Sequence, residues 1–401
     1  MAVTGPTTNF ITIDSNTGLP QDLGTRYVSK DYLLDVYPNI ASQLGARTSP
    51  GLWLWGQNTN GQLGLGDIVH RSSPVQVGSL TNWKLISCGS YRNAAIKTDG
   101  TLWSWGHNTF GQLGLLDVVH RSSPVQVGSL TNWKLVVCGG QHTAAIKTDG
   151  TLWSWGYSVF GQLGLNDVVG RSSPVQVGSL TNWKLVTGGS YHTAAIKTDG
   201  TLWTWGVNVY GTLGQQDIVG RSSPVQVGTL TNWKQVTGGG YLTAAIKTDG
   251  TLWSWGINTN GQLGLLDIVH RSSPVQVGSL TNWKLVTGGR YLTAAIKTDG
   301  TLWSWGRNTN GQLGLGDVVH RSSPVQVGTL TNWKLMTGGG YHTAAIKTDG
   351  TLWSWGRNAN GQLGLGNIVH RSSPVQVGSL TNWKQVAAGF YHTAAIQDGS
   401  F

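Results

Sequence analysis

From residue 51 to residue 401 the chain repeats one phrase every fifty residues, seven times, with no insertion between copies. A strict period of this length means that one supersecondary unit is reused. Each copy must rest on its neighbours, because so small a unit cannot bury both of its faces alone. Inside a copy the strand signals are short and close together: PVQV at 74 to 77, WKLISCG at 83 to 89, NAAIK at 93 to 97 and TLWSWG at 101 to 106. Residues 78 to 82 make the turn joining the first two, and Thr98-Asp99-Gly100 is hairpin chemistry. These signals predict one four-stranded antiparallel sheet per copy.

Seven such sheets predict an all-β fold, a seven-bladed β-propeller of four-stranded antiparallel blades whose radial closure protects the strand edges. An open solenoid of the same units would call for distinct polar caps, and the last copy shows none. The two ends of the repeat region also argue for closure. The seventh copy has PVQV, WKQVAAG and TAAI strands but no TLWSWG, while GLWLWG at 51 to 56 is an unpartnered copy of that strand. Strand 51–56 is therefore expected to pair with the last blade and remove the open edge. The division that follows is an N-terminal arm, 1–50, and a propeller, 51–401.

Composition fits strands and turns: charged residues are 11% of the chain, glutamate does not occur, and glycine numbers 59, which leaves few building blocks for surface helices. All 21 tryptophans lie in the repeats, three to a copy, and are read as packing between blades rather than as stacking surfaces for sugars or bases. The net charge of +10 permits association with acidic surfaces without naming one. MAVTGPTTNF has neither the basic n-region nor the apolar h-region of a secretory signal, and no apolar run is long enough to span a bilayer. Neither a leader nor a membrane span is expected. Cys88 and Cys138 share one repeat position in neighbouring copies and are read as small buried thiols rather than a disulfide.

The combination W-x-W-G-x-N-x-x-G-Q-L-G, followed by S-P-V-Q-V and G-G-x-Y-H-T-A-A-I-K-T-D-G, closely resembles the regulator of chromosome condensation repeat family over residues 51–401. The resemblance implies a seven-bladed propeller closed by strands from both chain ends. Its best-known member is a guanine nucleotide exchange factor for a small nuclear GTPase, and another member is a secreted inhibitor of β-lactamases. Exchange in the former depends on a wedge inserted between strands and on acidic and histidine side chains at one face. Here every copy has the same length, no wedge stands out and glutamate is absent. Because one fold hosts many functions, the expectation from sequence is that exchange activity does not carry over.

No catalytic centre is legible. His142, His192, His342 and His392 share one repeat position, His70, His120, His270, His320 and His370 share another, and His107 stands apart. Equivalent residues on different blades sit around a ring, and no HExxH or CxxC accompanies them, so hydrogen-bonding roles are expected, with no metal and no cofactor. Arg71 and its equivalents recur in all seven copies, four residues after an aspartate in six and after Asn367 in the seventh. An ion pair within or between blades is expected, with a phosphate-binding ring as the sharper alternative. Nothing resembles GxxxxGK[ST], so neither a nucleotide cradle nor specific nucleic-acid binding is expected.

The copies differ where their loops differ. The most varied column reads Gln57, His107, Tyr157, Val207, Ile257, Arg307 and Arg357; position 60 reads Asn60, Phe110, Phe160, Tyr210, Asn260, Asn310 and Asn360; and the loop after the WKL strand varies through Arg92, Leu242, Arg290 and Phe390. In an antiparallel meander these loops share one face, and the nearly uniform TDG and G-S/T-L-T-N turns occupy the other. The candidate recognition surface is thus Phe110, Tyr157, Phe160 and Tyr210 on blades one to three, with Arg290, Arg307 and Arg357 on blades five and six. An aromatic arc beside a basic one suits a protein partner or an anionic glycan.

Residues 1 to 28 read as an extended arm. In 29 to 45 the apolar stripe of Tyr32, Leu33, Val36, Tyr37, Ile40 and Leu44 predicts a short helix after the cap Ser29, kinked at Pro38 and ended by Gly45. An arm ahead of near-identical repeats resembles the layout of some tailed-phage virion proteins, where the arm docks on a protein of a larger assembly. The resulting expectation is a non-enzymatic binding propeller in a virion or microbial surface assembly, mediating protein or glycan attachment. The alternatives are an exchange regulator of a small GTPase and a secreted inhibitor of an enzyme.

Overall fold

A computed structural model describes residues 51–398, and these contain 28 strands and no helix. In blade I the strands β3 (Trp83–Cys88), β4 (Arg92–Lys97), β5 (Leu102–Gly106) and β6 (Arg121–Gln126) lie side by side in that order, all antiparallel. Blades II to VI repeat the arrangement, beginning at Trp133, Trp183, Trp233, Trp283 and Trp333. β3 and its equivalents line a central channel bounded by all seven blades. The second strand is covered on both faces, so every residue of β4 is buried and small Ala94 and Ala95 let the neighbouring sheets approach. The outermost strand, RSSPVQ, is half-exposed, and its proline is tolerated because an edge strand need not donate on that side.

The outer strand departs from the sequence reading. PVQV does not pair with the WKL strand of its own copy; it pairs with the TLWSWG-type strand before it, Val75 opposite Leu54 and Gln76 opposite Trp53. The segment 78–82 therefore bridges two blades instead of closing a hairpin. The consequence for ring closure is that two N-terminal strands, not one, complete blade VII. Its order is β2 (Arg71–Gln76), β1 (Gly51–Gly56), β28 (His392–Gln397) and β27 (Trp383–Ala388). The expected pairing of strand 51–56 with the last blade is present, with Leu52 opposite Ile396 and Leu54 opposite Ala394.

The core lies between blades. Leu52, Leu54, Ala394 and Ile396 of blade VII cluster with Trp83, Ile86, Ala95 and Trp105 of blade I. Trp105 is fully buried, and its indole N–H donates to the Gln62 carbonyl of the preceding blade at 3.0 Å. Gly64 ends the GQLG phrase because it has φ +71° and a Cβ there would lie 2.8 Å from that indole nitrogen. Trp83 meets both Trp103 and Trp105 at ring distances of 6.1 Å. Two tryptophans of each copy are thus interblade packing as expected, while the third does something else. Trp103 is half-exposed, donates to Thr101 Oγ1 at 2.9 Å, and carries the Lys97 ammonium 3.6 Å above its ring. The helix expected over 29–45 lies outside the described residues.

Candidate recognition site at the channel mouth

The loop from the third to the fourth strand is organised by one buried asparagine. Asn58 donates to the Asp67 carboxylate and carbonyl at 2.9 and 3.0 Å, and its own carbonyl accepts the Leu63 N–H at 2.8 Å. Asp67 also accepts the Val69 N–H and pairs with Arg71 at 2.5 Å, so the Asp–Arg pair lies within one repeat. That backbone hydrogen bond, with the Arg71 guanidinium added, outweighs desolvation and holds the Asp67 carboxyl below its ordinary value. Among the described residues six arginines of this class are neutralised in this way; Arg371 follows Asn367 instead of an aspartate, has no carboxylate and donates to the His370 carbonyl at 3.3 Å.

Both histidine columns are hydrogen-bonding elements, as expected. His70 accepts the Asn58 N–H at Nδ1, 3.2 Å, and the equivalents on blades I, IV, V and VI do the same. The other column is fully buried and ties adjacent blades: His142 to Thr193 at 2.8 Å, His192 to Thr243 at 3.0 Å, His342 to Thr393 at 2.8 Å and His392 to Asn93 at 2.9 Å. Burial pushes these imidazoles down to about 3, or about 4 for His342. In blade I the position is Arg92, whose buried guanidinium bonds to the carbonyls of Gly140 at 2.9 Å and His142 at 2.5 Å. Cys88 and Cys138 are free thiols raised by burial. Among the described residues no group of three or more His, Cys, Asp or Glu is placed to hold a metal ion, and no helix is long and apolar enough to cross a membrane.

The first-to-second and third-to-fourth connections come together on one face, where the His107 N–H donates to the Tyr91 carbonyl at 3.0 Å. Six tyrosines, Tyr91, Tyr191, Tyr241, Tyr291, Tyr341 and Tyr391, are half-buried in one repeat position around the channel mouth; Gln141 takes the seventh place. Tyr341 and Tyr391 stack at 5.5 Å, and Tyr191 and Tyr241 lie 5.8 Å apart. Burial raises the phenols of Tyr91, Tyr241 and Tyr391 above their ordinary value. Sequence comparison between copies passed over this ring because the column hardly changes.

All seven sequence-predicted residues sit on this face. Phe110 contacts Tyr157 at 4.8 Å, Tyr157 contacts Phe160 at 6.2 Å, and Tyr191 links Phe160 to the ring at 5.4 Å. Tyr210 stands apart from them and packs edge-on against Tyr241 and His270. The arginines converge: Arg307 lies 5.2 Å from the Tyr291 ring, Arg357 5.3 Å from Tyr391, and Arg290 5.1 Å from Tyr291 and 4.8 Å from Phe390. Arg290 and Phe390 also border the channel.

With this geometry in view, the RCC1-like domain matches residues 42–287, and the regulator of chromosome condensation (RCC1) repeat matches 299–346 and 349–396. The chain belongs to the regulator of chromosome condensation repeat family. Solved RCC1-type propellers superpose on it over 88% of its length: human WBSCR16 at 21% identity and TM-score 0.79, covering that chain entirely, and Prp20p from Saccharomyces cerevisiae at 19% and 0.79, covering 92% of that chain. Yeast RCC1 (Prp20) bound to Kap60 superposes at 0.80 with 19% identity and 90% of that chain covered. At these identities the likeness is one of fold. No curated protein matches the chain significantly.

Family membership corrects one expectation. The chain was expected to be non-enzymatic, yet RCC1-type propellers include nucleotide exchange factors, which act catalytically on GTPases, and the matches fall on that family. The absence of a covalent catalytic centre is no argument against exchange, which needs only differential binding of the GTPase states. The family and the relatives named above give no support to a virion, phage or attachment role.

Proposed function

We propose that this propeller recognises a protein through the face bearing the tyrosine ring, and that a small GTPase, with nucleotide exchange as the activity, is the first partner class to test. The observation that carries the reading is that the exposed loops which differ from blade to blade lie on that face, while the opposite face repeats one TDG turn in blades I to VI. A uniform scaffold with diversified loops at one channel mouth is the layout of a recognition surface. The similar Prp20p is known with binding properties to Gsp1p and histones, which supports a protein partner. Every described interstrand connection has the same length in each blade, so exchange here would work through the mouth loops rather than through an inserted wedge.

Docking into a larger assembly through the arm depends on residues 1–50, outside those described; an anionic glycan has no separate observation in its favour. The test is release of fluorescent GDP from a panel of small GTPases by substoichiometric propeller, with complex formation followed by size-exclusion chromatography. Accelerated release from one GTPase supports the reading. Neither release nor complex across the panel removes the GTPase.

A further inference from the structure

Besides Arg92, which is buried on blade I and spends its guanidinium on backbone carbonyls, four arginines on the recognition face, Arg290, Arg307, Arg357 and Arg371, have no carboxylate partner among the described residues, and all four belong to blades V and VI. The other Arg71-type residues each have their aspartate. Blade VI alone replaces that aspartate with Asn367, which removes a carboxylate from the loop that begins at Arg357. The mouth guanidiniums are held rather than free. Arg307 rests on Tyr291 and Tyr341, Arg357 on Tyr341 and Tyr391, and Arg290 reaches across blade VI to Phe390, donating to the Tyr341 hydroxyl at 3.4 Å. These cation–π contacts, 4.8 to 6.0 Å from guanidinium carbon to ring centroid, hold the guanidiniums beside the rings, and Arg307 also donates from Nε to Thr309 Oγ1 at 3.1 Å. Arg357 Nε is buried without a hydrogen-bond partner. Across the mouth, on blades I to III, Phe110 and Phe160 are 36% and 43% exposed and Val159 and Val209 55%.

Resting on the protein-recognition reading above, we propose that the mouth takes an acidic segment of the partner, its carboxylates on Arg290, Arg307 and Arg357 and its apolar side chains on the Phe110–Phe160 arc. Charge complementarity selects carboxylates, which planar guanidiniums can meet in bidentate fashion. The two-sided character argues against a nucleic acid, whose phosphates would leave the apolar arc uncovered and would want cations spread along the face.

The experiment is fluorescence polarisation with a labelled synthetic peptide, a run of aspartates followed by Leu-Phe-Leu, against the same peptide with asparagines. The full chain is compared with R290Q/R307Q/R357Q and with K84Q/K134Q/K184Q, which removes equal charge from exposed lysines of the opposite face. Matched unfolding curves confirm that the variants fold. The expected result is salt-sensitive binding of the aspartate peptide only, weakened roughly 100-fold or more by the arginine variant and about twofold or less by the lysine variant. Equal binding of the asparagine peptide, equal loss in the lysine variant, or no binding of the aspartate peptide overturns the proposal. If a GTPase from the panel binds and R290Q/R307Q/R357Q leaves that complex unchanged, the acidic-segment inference falls while protein recognition stands. Binding of the peptide with failure of every GTPase removes the GTPase and leaves the inference.

Discussion

The two faces of the propeller are connected by the same strands yet solve different problems. On the uniform face each turn closes on itself: Asp99 accepts the Thr101 N–H at 2.9 Å and its hydroxyl at 2.6 Å, Thr101 accepts the Trp103 indole N–H, and Lys97 covers that ring. On the recognition face each loop is split. Asn58, Asp67 and Arg71 pin it from inside, whereas position 60 is not buried in any blade and position 57 stays at the surface except on blades III and IV, where Val207 and Ile257 turn into the core. Residues that hold the fold and residues that make contact are therefore separated within a single loop, so contacts can change from blade to blade without altering the strands.

The sharpest way to break this contrast is to truncate a scaffold residue and a projecting one and compare the losses. Trp105→Ala should destabilise by about 3–5 kcal/mol, because a fully buried indole leaves a cavity between two blades. Phe110→Ala, by comparison, should change stability by less than about 1 kcal/mol in the same denaturant titration. A loss at Phe110 as large as that at Trp105 would erase the distinction.

The four interblade histidines give the next effect. Their folded pKa values are depressed below the ordinary 6.5, so the native state keeps them neutral while the unfolded chain takes up protons. The stability they confer is complete above about pH 6.5 and is lost as pH falls towards 3 to 4, each group adding up to ~1.4 kcal/mol per pH unit. Leu242 and Leu292 fill the same position on other blades. His342→Leu should therefore fold and flatten the slope by one group's share, seen in urea midpoints taken from pH 7 to pH 4.

Within one loop, Gly64 and Gly66 share a positive φ but not the space around them. A Cβ at Gly64 would strike Trp105, while at Gly66 the nearest atom is 3.8 Å away and Leu116 and Leu266 already stand at equivalent positions with φ +67°. Gly64→Ala should cost more than Gly66→Ala, the latter about 1 kcal/mol from the left-handed backbone alone. The smallest effect is a gain. Blade II has Ser158 where the loop asparagine belongs, and its hydroxyl is buried without a partner. Ser158→Asn should restore the bonds to Asp167 and Leu163 and stabilise by ~1 kcal/mol.

The blade number, the closing strand and both histidine roles were legible because seven copies report the same local pattern. The outer strand was misplaced for a physical reason. Hairpin rules join neighbours across a short turn, whereas β5 and β6 are joined by the long loop 107–120, whose shape comes from Asn108 and Asp117 side chains rather than from turn residues. The arginine and phenylalanine positions stood out because they vary. The tyrosine beneath them did not, since a constant column looks like scaffold; its place at the same hairpin as Arg290 and Phe390 was the available clue.

The central claim, that contact and scaffold are separable on this face, is tested most directly by Phe110→Ala, Phe160→Ala, Arg307→Ala and Arg357→Ala combined in one chain. Its unfolding midpoint and its binding to the GTPase panel and the aspartate peptide are measured on the same sample. The account predicts a midpoint close to that of the parent chain and no complex with whichever probe the parent binds. Intact folding with that binding unchanged would contradict it.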